Sequence, residues 1–197
     1  IGYGNIKYNL TESSIRDRTL KDFDIEVDAN SLLLQYGDHR GHSGLRELLA
    51  NEGKTTPDNV LLTPGAAGAL FIISTSLLEK NDHLVVLRPN YATNIETPRA
   101  IGCEVSFLEL AFENNFQYTT NDIAKHIKPN TKLISITVPH NPTGTVLPWE
   151  ELKKIVALAE EEHCWLLVDE TYRGLGQEHP LATTLSKRVL SVGSLSK

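Results

Sequence analysis

Four short runs in this chain are apolar almost without interruption, with helix-like segments between them. They are His83 to Leu87, Lys132 to Val138, Trp165 to Val168 and Val189 to Val192. Each is too short for a buried helix. A strand that is apolar at every position, rather than at every second one, must be covered on both faces. Strands of that kind separated by helices build a parallel sheet between two helical layers.

Weaker patterns fill in the rest. Two more strands are expected, over Asn59 to Thr63 and over Glu104 to Leu110. Helices are expected over Gly44–Asn51 (capped by Ser43), Ala66–Leu78, Tyr91–Ile101, Asn121–Ile127 and Glu150–Glu162. The last is amphipathic, with Leu152, Ile155, Val156 and Ala159 on one face and lysines and glutamates on the other. Residues 1–35 read as irregular, apart from a weak alternation from Ile6 to Leu10. The expectation is an N-terminal segment over residues 1–35, either an arm or part of a small domain. It precedes a three-layer α/β/α large domain with a mostly parallel sheet over residues 36–197. Both ends of the chain are expected to be cut. The first residue is Ile1, there is no Met, and Lys197 falls inside a motif that needs support on both sides.

Composition narrows the function classes. A net charge of −6 over 197 residues argues against a nucleic-acid surface. No apolar run approaches the roughly 18 residues of a membrane helix, and no signal peptide opens the chain. Cys103 and Cys164 lie in apolar stretches and read as two buried free thiols of a cytoplasmic protein. His39 and His42 flank Arg40 and Gly41 in a polar loop with no suitably spaced carboxylate or thiol, so no metal site is read there.

In open α/β sheets, ligands bind beyond the carboxyl ends of the strands. Thr63, Pro89, Pro139, Asp169 and Gly193 mark those ends, and there the chemically loaded residues collect. Gly65-Ala66-Ala67-Gly68 opens a helix with small residues, leaving its N–H groups open to a phosphate; a tight turn without a ligand would look the same. Tyr91 could stack on a flat ring or simply pack on the core. Pro139-His140-Asn141-Pro142-Thr143-Gly144 is a rigid turn that fixes the Asn141 amide as a donor, and His140 reads as incidental. Asp169 ends a fully apolar strand, where a carboxylate is costly without a cationic partner; the competing reading is a helix cap. Tyr172 follows three residues on, and Glu170 reads as structural. Ser194-x-Ser196-Lys197 sets a hydroxyl beside an amine. An amine, an acid and a phenol at strand ends suit one aromatic cofactor, pyridoxal phosphate. Its aldehyde needs a lysine, its ring nitrogen a carboxylate, and its ring hydroxyl hydrogen-bond donors.

In this order and spacing, Asn141-Pro142-Thr143-Gly144, Asp169-x-x-Tyr172 and Ser194-x-Ser196-Lys197 resemble the class I/II pyridoxal-phosphate aminotransferases of fold type I. Tyr36-x4-Gly41-x3-Leu45-Arg46 also matches a pattern of that family, so the resemblance runs from about Tyr36 to Lys197. It implies that Lys197 is the Schiff-base lysine and proton shuttle, and that Asp169 is the partner of the ring nitrogen. Asn141 and Tyr172 would be donors to the ring hydroxyl, and Tyr91 the stacking ring. Gly65, Ala66, Ala67 and Ser194 would be phosphate contacts. Tyr36 would reach the phosphate in a neighbouring subunit, which implies a homodimer with shared sites. The reaction implied is amino transfer between an L-amino acid and a 2-oxo acid, with no metal. Two alternatives stand beside it: a lyase, decarboxylase or cyclising synthase using the same cofactor, and the aminotransferase-like sensor domain of a transcription regulator. The stretch Tyr8 to Ser13 lacks the family's more usual glycine-rich substrate loop.

Overall fold

The computed structural model describes every residue except 1–6, 9–12, 14, 16 and 176–178. Ile6, Asn9 and Leu10, expected in a weak alternating stretch, therefore lie outside the described residues.

Five strands form one sheet, and every pairing is parallel. They are β1 (His83–Arg88), β2 (Glu104–Glu109), β3 (Thr131–Thr137), β4 (Trp165–Asp169) and β5 (Val189–Val192), in the spatial order β2-β1-β3-β4-β5. Five helices accompany them: α1 (Ser43–Glu52), α2 (Gly65–Leu77), α3 (Thr93–Ile101), α4 (Thr120–Ala124) and α5 (Trp149–Glu161). No described helix is long and apolar enough to cross a membrane.

The strand residues divide by parity. Val85, Leu87, Ile134, Ile136, Leu166 and Val168 pack with Leu152, Ile155, Val156 and Ala159 of α5 and with Ile123 of α4. Leu84, Val86, Leu133 and Leu167 pack on the other face with Leu70 of α2 and with Ile95 and Ile101 of α3. The three layers follow from this division, because successive side chains of a strand point to opposite faces.

The order of the strands locates a crevice. From β1 the chain moves outward to β2 by way of α3, then returns past β1 to β3 by way of α4. The connecting helices change faces at that reversal, so the loops after β1 and β3 leave the sheet in opposite directions. The gap between them is where ligands of such sheets bind.

One expected strand is absent from the sheet. Residues 59–63 do not pair with it; Pro57–Asn59 form a 3₁₀ turn and Val60 is extended. The apolar run is real, but its backbone is used elsewhere. The Val60 carbonyl accepts from Arg46 Nε at 3.0 Å, and Leu62 N donates to the Arg40 carbonyl at 3.0 Å. Arg46 is buried and holds this segment against α1. The cap of α1 is His42 rather than Ser43, with Nδ1 accepting from Leu45 N at 3.4 Å. Helix α3 begins at Thr93, two residues later than expected, because Asn90 Oδ1 takes the Tyr91 N–H at 2.7 Å.

Candidate active site at the strand ends

β4 ends in Asp169, and strand register places it beside Thr137 of β3 and Val192 of β5. The sheet therefore sets a carboxylate between the loop that carries Asn141 and the segment that carries Ser194 and Lys197. Asp169 is buried, and no described cationic side chain forms an ion pair with it. Its Oδ1 accepts from Thr171 N at 3.1 Å and from Thr171 Oγ1 at 2.6 Å. The cap-like reading of Asp169 thus holds for one oxygen, while Oδ2 takes no part in that turn. Burial pushes the Asp169 carboxyl upward, against the downward pull of the Thr171 bonds and of nearby Asn94. An uncompensated buried carboxylate of this kind gains most from a cation placed against it.

Asn94 on α3 is itself buried and belongs to a polar cluster under the site. Its Nδ2 donates to Asn90 Oδ1 at 3.1 Å, and its Oδ1 accepts from Ser135 Oγ at 3.4 Å. Thr137 Oγ1 reaches Asn90 Oδ1 at 3.3 Å, and Asn90 Nδ2 is buried without a partner. Asn90 and Asn94 are absent from the sequence-based set of site residues: Asn90 lies in the loop before α3 and Asn94 within its first turn, and only the fold brings the two amides together.

Tyr172 and Lys197 converge although they come from different strands. Lys197 Nζ stands 5.7 Å from the centre of the Tyr172 ring. Both donate to one residue near the N-terminus: Lys197 Nζ to the Ser13 carbonyl at 2.9 Å, and Tyr172 OH to Ser13 Oγ at 2.8 Å and to its carbonyl at 3.0 Å. Ser13 is absent from the sequence-based set of site residues. Contacts across 159 and 184 positions leave no local trace. Ser13, Tyr172 and Asn141 line one cavity of about 210 Å³ with Pro139, His140 and Val146. The two expected donors to a ring hydroxyl thus share a cavity, one bonded residue away from the lysine.

The remaining expected residues lie at the start of α2, in the loop after β1, after β5 and before α1. Gly65, Ala66 and Ala67 are the first turn of α2, which has no side-chain cap. Gly65 has φ of +75°, and nothing stands within 4 Å of where a Cβ would sit on it or on Gly193. Ser194 Oγ lies 2.8 Å from Ser196 Oγ and accepts Ser196 N at 3.2 Å, shaping the turn before Lys197. Tyr91 is 46% exposed at the start of the α3 loop, and Tyr36 is 99% exposed, touching none of the other site residues. Among the described residues no cluster of metal-ligating side chains occurs.

These groups fit pyridoxal phosphate. A carboxylate without a cation, two donors in one cavity, an amine beside a phenol and a helix start without a side-chain cap match its ring nitrogen, hydroxyl, aldehyde and phosphate in kind.

Comparison with known proteins agrees. The family model "Aminotransferase class I and II" matches residues 5–197. Histidinol-phosphate aminotransferase of Haloferax volcanii is 33% identical over 156 residues, which are 78% of this chain and 42% of that one. Arginine–pyruvate transaminase of Pseudomonas aeruginosa is 29% identical over 187 residues, 88% of this chain and 48% of that one. Among solved structures, a PLP-dependent aminotransferase from Streptococcus suis superposes with a TM-score of 0.80 at 30% identity, covering 85% of this chain and 46% of the other. Aspartate aminotransferase from Thermus thermophilus, solved with maleate, gives 0.78 at 30% identity, covering 83% and 45%. The chain spans less than half the length of each of these relatives.

Proposed function

This chain belongs to the class I and II aminotransferases, and on that premise we propose that its protein transfers an amino group between an L-amino acid and a 2-oxo acid. Members of this family use pyridoxal phosphate. The observation that carries the reading is the buried, cation-free Asp169 with Lys197 and Tyr172 meeting on Ser13 across the same strand ends.

Bound there, pyridoxal phosphate supplies an aldehyde that condenses with amines and a ring that takes up the electron pair left at a substrate's α-carbon. Every other task falls to side chains of this chain. Asp169 would hold a proton on the ring nitrogen, since a charge pair in that buried place is far better than a lone carboxylate. Asn141 and Tyr172 would donate to the ring hydroxyl, and Tyr91 would lie against the ring. Gly65, Ala66, Ala67 and Ser194 would hold the phosphate through backbone N–H groups and one hydroxyl. Lys197 would hold the cofactor through its amine, and that amine would also move the proton at the substrate's α-carbon.

We also propose a homodimer in which Tyr36 serves the neighbouring subunit's phosphate; its isolation from every site residue of its own chain supports this. The division into an N-terminal segment over residues 1–35 and a cofactor-binding domain over residues 36–197 is proposed with it. Two free cysteines, Cys103 and Cys164, support a cytoplasmic setting.

The test is chemical. The intact protein should turn yellow with pyridoxal phosphate, and borohydride followed by peptide mapping should place the label on Lys197. Label on Lys187, or none, sinks the assignment. Release of ammonia with a 2-oxo acid, or of carbon dioxide, without any amino acceptor would replace amino transfer by a lyase or decarboxylase reaction.

A further inference from the structure

The backbone of Asp169 is held from both sides. Val138 N donates to its carbonyl at 2.9 Å, and the next amide, Glu170 N, donates to the Val192 carbonyl at 2.7 Å. The chain leaving β3 and the end of β5 therefore fix where the Asp169 Cα stands. The side chain is less constrained, because the last torsion of an aspartate is soft and broad. Some further contact must decide which carboxylate oxygen faces the cofactor.

Thr171 supplies that contact. It is half-buried in the turn that leaves β4, two residues beyond Asp169. Its N–H and its hydroxyl both donate to Oδ1, at 3.1 Å and 2.6 Å. The shorter distance is that of a charge-assisted O–H···O⁻ bond. The backbone N–H alone would leave the carboxylate free to swing about one contact, whereas two donors clamp it. Any proton that Asp169 shares then sits on Oδ2, since Oδ1 already accepts two. Burial pushes this carboxyl up, and among the groups that pull it back down the Thr171 hydroxyl is the strongest. In the sequence Thr171 fills an unspecified place in Asp169-x-x-Tyr172, so an aliphatic residue there would leave the motif intact.

We propose that Thr171 is a positioning residue for the cofactor's ring nitrogen: its hydroxyl clamps Asp169 Oδ1 and so presents Oδ2 to the ring. The inference rests on the cofactor reading above. The effect of Thr171 passes through Asp169 alone. Its backbone N–H bond is common to every residue but proline at this place, so the hydroxyl is the part that the choice of threonine controls.

The experiment uses the intact protein and pyridoxal phosphate labelled with heavy nitrogen in its ring. The forms compared are wild type, Thr171→Val, Thr171→Ser, Asp169→Ala and the double variant Asp169→Ala/Thr171→Val. The readouts are the dissociation constant of the cofactor, the chemical shift of its ring nitrogen and the melting temperature. Thr171→Val keeps the shape and the backbone N–H and loses the hydroxyl. It should weaken binding by about tenfold and move the nitrogen signal toward that of an unprotonated pyridine. Thr171→Ser restores the hydroxyl and should stay within about threefold of wild type with the signal unmoved. In the Asp169→Ala background, Thr171→Val should change neither binding nor signal further, because the carboxylate it acts through is gone. If Thr171→Val fails to fold, Thr171→Ala against Thr171→Ser carries the same comparison. A Thr171→Val protein with the wild-type nitrogen signal, even one that binds or melts less well, overturns the positioning role and leaves the cofactor reading standing. A further loss in the Asp169→Ala background does the same. Wild-type protein that takes up no cofactor overturns the cofactor reading and this inference with it.

Discussion

The site has a floor and a rim, and the two are built differently. The floor is Asp169, Asn94, Thr137, Ser135 and His140, all buried and fixed by the register of β3 against β4 and by the α3 packing. The proposed rim is the first turn of α2, Tyr91 and Ser194 to Lys197, much of it exposed, with Tyr36 offered to a neighbouring subunit. The floor sets the electrostatics: a carboxylate and a glutamate, Asp169 and Glu170, stand side by side in a place that resists charge. The rim as proposed would supply reach, with N–H groups, hydroxyls, an amine and an aromatic side chain. A sheet can hold a charge where water would not leave it, but it cannot hold a flexible ligand at its edge. Parts that meet a phosphate or a second subunit therefore lie in loops.

The largest test of this contrast is Asp169→Ala. The floor loses its one charge directed at the cofactor, so kcat and kcat/KM should fall together by about a thousandfold while the melting curve barely changes. Steady-state kinetics check it, and near-normal turnover would reduce Asp169 to a turn residue for Thr171.

Next in size is Glu170→Gln, read in stability rather than rate. Burial pushes the Glu170 carboxyl up to about 7, the Ser191 hydroxyl and the Ala182 N–H pull against this, and the Asp169 charge adds to the rise. The folded chain keeps that proton at pH values where the unfolded chain has lost it. The contribution to stability is therefore complete below the ordinary value of 4.5 and is lost as pH rises through about 7. A glutamine still accepts from Ala182 N and carries no charge at any pH. The variant should remove this slope and gain on wild type above pH 7 by on the order of 3 kcal/mol. Urea midpoints at pH 5 and pH 8 measure it. An unchanged slope would mean that the floor tolerates the charge.

The smallest effect concerns the rim. Tyr36→Ala and Lys197→Ala proteins should each be inactive. When mixed, they should recover activity in up to about a quarter of the sites, because a hybrid dimer gathers both defects in one site and leaves the other whole. No recovery, with hybrids formed, would place Tyr36 in its own subunit's site or outside any site.

What could be read from the sequence follows the same division. The core strands are legible because burial on both faces writes an apolar run, and Asp169 stands out because a carboxylate ending such a run is costly without a partner; Asn141 and Tyr172 are marked by their motifs, and the roles given to all three stay with the proposal. Val60-Leu61-Leu62 gives the same apolar signal, yet its carbonyl and N–H groups go to Arg46 and Arg40, so pattern alone misplaced it in the sheet. Ser43 looked like the cap of α1 by residue type, but the imidazole of His42 takes that place. Ser13 could not be found at all, since its link to Lys197 and Tyr172 spans more than 150 positions and exists only in the fold. His140 reads as incidental in the sequence; in the fold it is buried, with Nδ1 2.9 Å from the Thr143 hydroxyl, a partner whose residue type marks no motif.

The order β2-β1-β3 also bears on how the chain is made. During synthesis β1 is the first strand of the sheet to emerge and finds β2 soon afterwards, across the α3 crossover. Its other edge, a row of unsatisfied N–H and C=O groups in an apolar strand, waits until Thr131–Thr137 arrives. Through that interval the half-built sheet offers a sticky border to any neighbouring nascent chain. The same late docking of β3 brings Ser135 to Asn94 and Thr137 to Asn90, so one event both seals the hazardous edge and completes the polar cluster under the site.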